Sequence, residues 1–184
     1  MPSVPLKTVT LVLGGVRSGK SRYAQELASA FRRVVYIATA RREDAEMRAK
    51  IARHRRERPS SWKTIEASTS LDCVLREEAP QADLLLIDCL TYYMANLMGR
   101  RGGGRRKIQT TVQNLCQAVR EVQASVVMVS NEVGSGVVPP YRSGREHRDL
   151  LGELNQQIAK VADRVILMVA GLPLTLKDET EGRR

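Results

Sequence analysis

The sequence predicts a three-layer α/β fold, a mostly parallel sheet with helices on both faces. Three observations predict it. Short apolar, β-branched runs alternate with amphipathic stretches along the chain, the pattern of parallel strands joined by helical crossovers. The first such run leads into Gly14-Gly-Val-Arg-Ser-Gly-Lys-Ser21, which matches G-x-x-x-x-G-K-S/T between a strand and a helix. A later run, Asp83 to Asp88, is strongly apolar and ends in a carboxylate, as a Walker B strand does downstream of a phosphate-binding loop. Together they describe a P-loop NTPase.

Taken in order, residues 1–7 hold two prolines and read as a loose arm. Thr8 to Leu13 is a buried strand. Gly19 to Phe31 is a helix whose Tyr23, Leu27 and Ala28, with Ala24 and Phe31, form its apolar face. Arg33 to Ala38 is the second strand, and Thr39-Ala40-Arg41 follows at its carboxyl end, where open α/β sheets bind ligands. Asp44 to Glu57 is helical by pattern and Pro59 stops it; Lys50, His54 and Arg58 then share a face. A short strand (Trp62 to Ala67), a helix (Leu71 to Glu78), the Asp83 to Asp88 strand and a helix (Thr91 to Met98) come next. Residues 99–107, with four Gly, four Arg and a Lys, have no means of burying apolar surface and read as a mobile connection. The chain closes with a helix (Ile108 to Val122), a strand (Ser125 to Ser130), a turn-rich loop (Asn131 to Pro140), a helix (Gly144 to Ala162), a strand (Arg164 to Ala170), a last short strand (Leu172 to Lys177) and a tail over 178–184. The whole of 1–184 is expected to be one nucleotide-binding domain.

Composition narrows the function. A length of 184 residues buries a real core without disulfides, and Cys73, Cys89 and Cys116, odd in number and without a C-x-x-C pair, read as reduced thiols. No run reaches the ~18 apolar residues a bilayer span requires. The first apolar run opens directly into the phosphate loop, so removal of a signal peptide would destroy the site, and the expected location is the cytoplasm. The net charge of +10 calls for polyanions. One Trp, five Tyr and one Phe, none inside the densest basic run, provide no stacking platform for single strands, so nucleotides rather than nucleic acid are the expected partners.

In the loop Gly14, Gly15, Val16, Arg17, Ser18, Gly19, the backbone N–H groups would cradle phosphates. Lys20 would reach the terminal ones, and Ser21 and Asp88 would serve Mg²⁺. His54 lies among Arg53, Arg55, Arg56 and Arg58. An unperturbed imidazole, with a pKa of about 6.5, is mostly neutral at cytoplasmic pH and therefore nucleophilic, and the arginines would lower its pKa further. Read from composition alone, the same stretch is a solvated basic helix with an idle histidine.

Further motifs decide between these readings. Gly14-Gly-x-Arg-Ser-Gly-Lys-Ser21, Tyr36-Ile-Ala-Thr39, Asp44-x-Glu-Met47, His54-Arg-x-x-Arg-Pro59 with Trp62-x-Thr-x-Glu66, Asp88-Cys-Leu-Thr91, Asn131-Glu-Val-Gly-x-Gly-x-Val-Pro139 and Asn155-Gln156 stand in this order. The set resembles the bifunctional adenosylcobinamide kinase / adenosylcobinamide-phosphate guanylyltransferase family of cobalamin biosynthesis, over about Leu11 to Lys177. The resemblance implies a RecA-like P-loop fold and a homotrimer. It also implies two reactions: phosphorylation of adenosylcobinamide with ATP or GTP, and GMP transfer from GTP to that phosphate through a GMP-histidine. It places the guanylylated histidine on His54 and the nucleotide contacts on Gly14 to Ser21, Thr39, Ala40, Arg41, Arg56, Glu57, Arg58, Pro59, Glu66 and Asp88. Some members carry two adjacent histidines; here Arg53 precedes His54, which leaves one nucleophile. Others close the Walker B strand with Glu where this chain has Asp88, and either carboxylate serves Mg²⁺. His147 is expected to be structural or substrate-facing, and Glu132 and Asp149 are candidates for a polar role near the acceptor. Two rivals remain: a small-molecule kinase that leaves His54 idle, and a RecA-like DNA-dependent ATPase.

Overall fold

A computed structural model describes residues 7–41, 58–99 and 104–180. A seven-stranded sheet forms its centre. The strands are β1 (Val9–Gly14), β2 (Val34–Ala38), β3 (Lys63–Glu66), β4 (Leu84–Asp88), β5 (Ser125–Asn131), β6 (Arg164–Val169) and β7 (Leu172–Asp178). They lie in the order β3-β2-β4-β5-β1-β6-β7, all parallel except the β6–β7 hairpin. β5 therefore separates the strand that feeds the phosphate loop from the strand that ends in Asp88. The carboxyl end of β5 lies between them along the sheet edge.

Each central strand is apolar on both faces, because each face is covered. On one face Leu11, Ile37, Leu85, Ile87 and Met128 pack with helices α2 (Leu71–Glu78), α3 (Leu90–Met98), α4 (Arg105–Glu121) and α5 (Arg142–Val161). On the other, Val12, Tyr36, Leu86, Val127 and Ile166 pack with Ala24 and Ala28 of α1 (Lys20–Ala28) and with Trp62. The period of two along a strand sorts neighbouring residues into these two layers. The face expected for α1 holds: Ala24 and Ala28 are buried, and Tyr23, Leu27 and Phe31 pack around them.

α1 ends at Ala28, short of the expected Phe31, and α5 begins at Arg142, ahead of the expected Gly144; two further differences bear on the fold. The basic connection ends earlier than Lys107, since Arg105, Arg106 and Lys107 form the first turn of α4. Arg and Lys are good helix formers, and the unfavourable placement of cations at a helix N-terminus is offset where Arg105 pairs with Glu153 of α5. The last strand is a full partner of β6, joined by Ala170 and Gly171, both with positive φ (51° and 82°), the two-residue turn whose twist suits a hairpin. The expected helix over residues 44–57, with His54 on it, lies outside the described residues.

Candidate functional site

The site is built at the carboxyl ends of the parallel strands, and the phosphate loop is its first part. Gly14 ends β1 so close to its neighbours that an added Cβ would meet Ser18 Oγ at 2.4 Å and the Met168 carbonyl at 2.7 Å. Gly19 caps α1 with φ 93°, a left-handed conformation that side chains disfavour. The turn between them closes with Ser18 N–H donating to the Gly15 carbonyl at 3.3 Å. Lys20 is the first residue of α1, nearly buried, and its Nζ donates to the Gly15 carbonyl at 2.7 Å, lying back along the loop. Arg17 takes a positive φ of 55°. Gly15, Val16 and Arg17 are exposed at the loop tip, and Ser21 follows, half-buried, one residue into the helix.

Sequence reasoning missed what holds this loop from behind. The Gly171 N–H of the β6–β7 turn donates to the Ser18 carbonyl at 3.0 Å, and a Cβ on Gly19 would come within 3.3 Å of the Gly171 Cα. The hairpin turn is thus a buttress. Its Ala-Gly dipeptide was the available signal, but a turn sequence does not say what it turns against.

The second part lies beyond β5, across the ends of β4, β2 and β3. The register aligns Glu66, Ala38 and Asp88 across the ends of β3, β2 and β4. Tyr36 Oη donates to Asp88 Oδ2 at 2.9 Å, and the Arg58 guanidinium carbon sits 3.4 Å from the centre of the Tyr36 ring. Burial first, and then the Asp88 charge, push the Tyr36 phenol well above its ordinary range, so it remains an O–H donor. Arg58 Nε and Ser18 Oγ are both buried without a hydrogen-bond partner among the described residues, each beside a proposed nucleotide contact.

The backbone leaving β2 and β4 is fixed by buried polar side chains. Thr39 is fully buried; its Oγ1 donates to the Cys89 carbonyl at 2.6 Å and accepts from the Cys89 N–H at 2.8 Å. Its hydroxyl is committed to Cys89 and its N–H donates to the Asp88 carbonyl at 3.3 Å, so Thr39 ties the end of β2 to the end of β4. Asn96 Nδ2 in turn donates to the carbonyls of Thr39, at 2.8 Å, and Ser68, at 3.1 Å. Ala40 is half-buried beyond it, while Arg41, Pro59 and Glu66 are exposed at the rim. His54, Arg56 and Glu57 lie outside the described residues.

The loop after β5 forms the third part. Ser130 Oγ donates to Asn155 Oδ1 at 2.7 Å, and Asn155 Nδ2 donates to the Asn131 carbonyl at 3.1 Å, while the Asn131 N–H donates to Thr91 Oγ1 at 3.0 Å. The Glu132 N–H donates to the Gly14 carbonyl at 3.0 Å, which ties this loop to the phosphate loop. The Glu132 carboxylate accepts from the N–H groups of Gly134 and Ser135, so it shapes the turn. Arg148 donates to the Gly134 carbonyl, and Arg145 to the carbonyls of Pro139 and Pro140. His147 Nε2 is 3.3 Å from the Thr91 carbonyl, and Asp149 is exposed. Val137, Val138 and Tyr141 stand in solvent at the loop's far end.

Mg²⁺ is a hard ion that keeps several waters and borrows phosphate oxygens, so it needs few protein ligands. Among the described residues no three His, Cys, Asp or Glu side chains group as a metal cage. One carboxylate, Asp88, and one hydroxyl, Ser21, at strand and helix ends are a donor set that fits the ion.

A family model described as cobinamide kinase / cobinamide phosphate guanyltransferase matches residues 10–176. The chain belongs to that family. Among relatives, the bifunctional adenosylcobalamin biosynthesis protein CobU of Escherichia coli (strain K12) is 38% identical over 178 residues, which cover 91% of this chain and 98% of that protein. The bifunctional adenosylcobalamin biosynthesis protein CobP of Pseudomonas aeruginosa is 43% identical over 174 residues, covering 92% of this chain and 97% of that protein. A solved ATPase from the type III secretion system of pathogenic bacteria superposes with a TM-score of 0.57 at 13% identity, covering 95% of this chain and 57% of that one. That likeness concerns the fold, which is the P-loop, RecA-like architecture expected from the motifs. Among the described residues no helix is long and apolar enough to cross a membrane.

Proposed function

We propose that this member of the cobinamide kinase / cobinamide phosphate guanyltransferase family runs both reactions at one nucleotide site, with His54 as the covalent carrier of GMP. The observation that carries the reading is the single sheet edge on which the phosphate loop and the Asp88, Tyr36 and Arg58 group stand together.

In the kinase reaction the aminopropanol hydroxyl of adenosylcobinamide attacks the γ-phosphorus of ATP or GTP. The P–O bond to the nucleoside diphosphate breaks and the hydroxyl proton is lost. Lys20 and the loop N–H groups hold the phosphates in line. In the second reaction the neutral His54 imidazole attacks the α-phosphorus of GTP and pyrophosphate leaves. An oxygen of adenosylcobinamide phosphate then attacks that phosphorus, the P–N bond breaks, and adenosylcobinamide-GDP is released with His54 regenerated. Arg56 and Arg58 offset charge on the phosphates, and Glu57, Pro59, Arg41 and Glu66 complete the rim around the nucleotide. Mg²⁺, held by Ser21 and Asp88, would neutralise charge on the phosphate oxygens.

The reading places the enzyme in the cytoplasm, as a homotrimer. The exposed Val169, Leu172, Leu174 and Leu176 of the β6–β7 hairpin give it an apolar stripe of the kind that self-association buries. Replacing Lys20 with Ala tests the shared site. Both kinase turnover and GMP transfer should fall by roughly 10²- to 10³-fold, the scale of losing one positioned charge in a reaction centre. Wild-type turnover in either reaction would refute a single site.

A further inference from the structure

Tyr36 is the one hydroxyl-bearing residue in the apolar run of β2, and packing alone would be served by Phe. Its ring is buried in the layer that α1 covers, in the same cluster as Trp62. Its oxygen reaches the end of the neighbouring strand and donates to Asp88 Oδ2 at 2.9 Å. The face of the same ring carries the Arg58 guanidinium at 3.4 Å, well inside the ~6 Å reach of a cation–π contact. Two groups assigned to the nucleotide, one on the hydroxyl and one on the ring face, therefore rest on one side chain.

We propose that Tyr36 is a positioning residue for the nucleotide site: its hydroxyl fixes the rotamer of Asp88 and its ring seats Arg58, joining the metal carboxylate to the arginine of His-Arg-x-x-Arg-Pro. This rests on the roles given above to Asp88 and to the His54 motif. An ionised carboxylate has about four lone-pair sites. Tyr36 takes one on Oδ2, so that Oδ1 is turned and held for the metal's ligand shell. A carboxylate on a short side chain would otherwise spread over its χ2 range, since that torsion is broad. The ring does the same for Arg58. It fixes the guanidinium plane, whose buried Nε has no acceptor among the described residues and is left for an anion.

Full-length wild type, Tyr36→Phe, Tyr36→Leu and Arg58→Ala are compared in two measurements. The first is Mn²⁺ binding, in place of Mg²⁺, to enzyme saturated with a non-hydrolysable GTP analogue, followed by electron paramagnetic resonance. Tyr36→Phe keeps the ring and loses the donor; Mn²⁺ affinity should fall about five- to tenfold. The second is the rate of protein labelling by α-labelled GTP at saturating metal. Tyr36→Phe should label within about threefold of wild type, whereas Tyr36→Leu should be as slow as Arg58→Ala, and a Tyr36→Leu, Arg58→Ala double variant no slower than either. Unchanged Mn²⁺ affinity in a folded Tyr36→Phe would overturn the role of the hydroxyl. Additive losses in the double variant would overturn the role of the ring. If wild type takes no label, it is the His54 reading that fails, and the Mn²⁺ comparison still judges Tyr36 on its own.

Discussion

The phosphate loop and the loop after β5 leave adjacent strands and touch through one hydrogen bond, from Glu132 N–H to the Gly14 carbonyl. They are built by different means. The phosphate loop is held by backbone: Gly14, which admits no Cβ, Gly19 at positive φ, a turn closed by Ser18 and Gly15, and the Gly171 N–H behind it. The β5 loop is held by side chains: Asn155 and Thr91 at its root, the Glu132 carboxylate across its first turn, and Arg145 and Arg148 on its carbonyls. Backbone construction suits a ligand feature common to all nucleotides, the phosphate chain. Side-chain construction suits a surface particular to one acceptor, since side chains change without disturbing the sheet. Under the proposed function the nucleotide sits at the first loop, and we propose the second as the place of the corrinoid acceptor.

The harshest break should come at Gly14. Replacement by Ala places a Cβ 2.4 Å from Ser18 Oγ and 2.7 Å from a main-chain oxygen, so the loop itself must move. We expect loss of measurable GTP binding by calorimetry and a stability loss of about 2 kcal/mol in chemical denaturation, the usual scale of overpacking. At the root of the other loop, Asn155→Leu leaves the Ser130 hydroxyl and the Asn131 carbonyl buried without their partner. Unfolding should then require about 2 to 3 kcal/mol less, while a folded fraction still binds GTP. Arg148→Ala sharpens the division further. It loosens only the tip of the β5 loop, so the KM for adenosylcobinamide phosphate should rise roughly fivefold, the worth of about 1 kcal/mol, with self-labelling by GTP unchanged. An equal rise in the KM for GTP would erase the distinction between the loops.

The smallest effect is a probe of rigidity. Burial first, and then the Asp88 charge, raise the Cys89 thiol from 9.0 to about 11. A buried thiol with its pKa raised is almost wholly protonated at pH 8 and shielded as well. Exposed Cys73 should therefore alkylate readily at that pH and Cys89 only after unfolding, as peptide mass mapping would record. Modification of Cys89 in the native protein would mean that the Thr39 to Cys89 clamp opens.

The order of strands and helices was legible because each apolar run has a clear period and each turn its breaker residues. The phosphate loop was legible because Gly14, Gly19, Lys20 and Ser21 are contiguous. The supports were not. Thr39 reads as a ligand-facing residue at a strand end, and only the fold turns its hydroxyl to a carbonyl fifty residues away. Tyr36 and Asp88 are similarly distant, and strand register brings them together. Arg105 to Lys107 read as loop because like charges lack a burial signal, until Glu153 supplies the counter-charge from another helix. Contacts between sequence-distant polar groups carry no local pattern, and these make up the frame of the site.

The claim that one phosphate-binding edge serves a covalent GMP carrier is tested most directly by incubating the full-length protein with Mg²⁺ and GTP labelled at the α-phosphorus. The expected result is one label per chain, stable in base and lost in acid, mapping to His54 and absent in His54→Asn and Lys20→Ala. A wild-type protein that binds GTP and phosphorylates adenosylcobinamide yet takes no label, or takes it in His54→Asn, would contradict it.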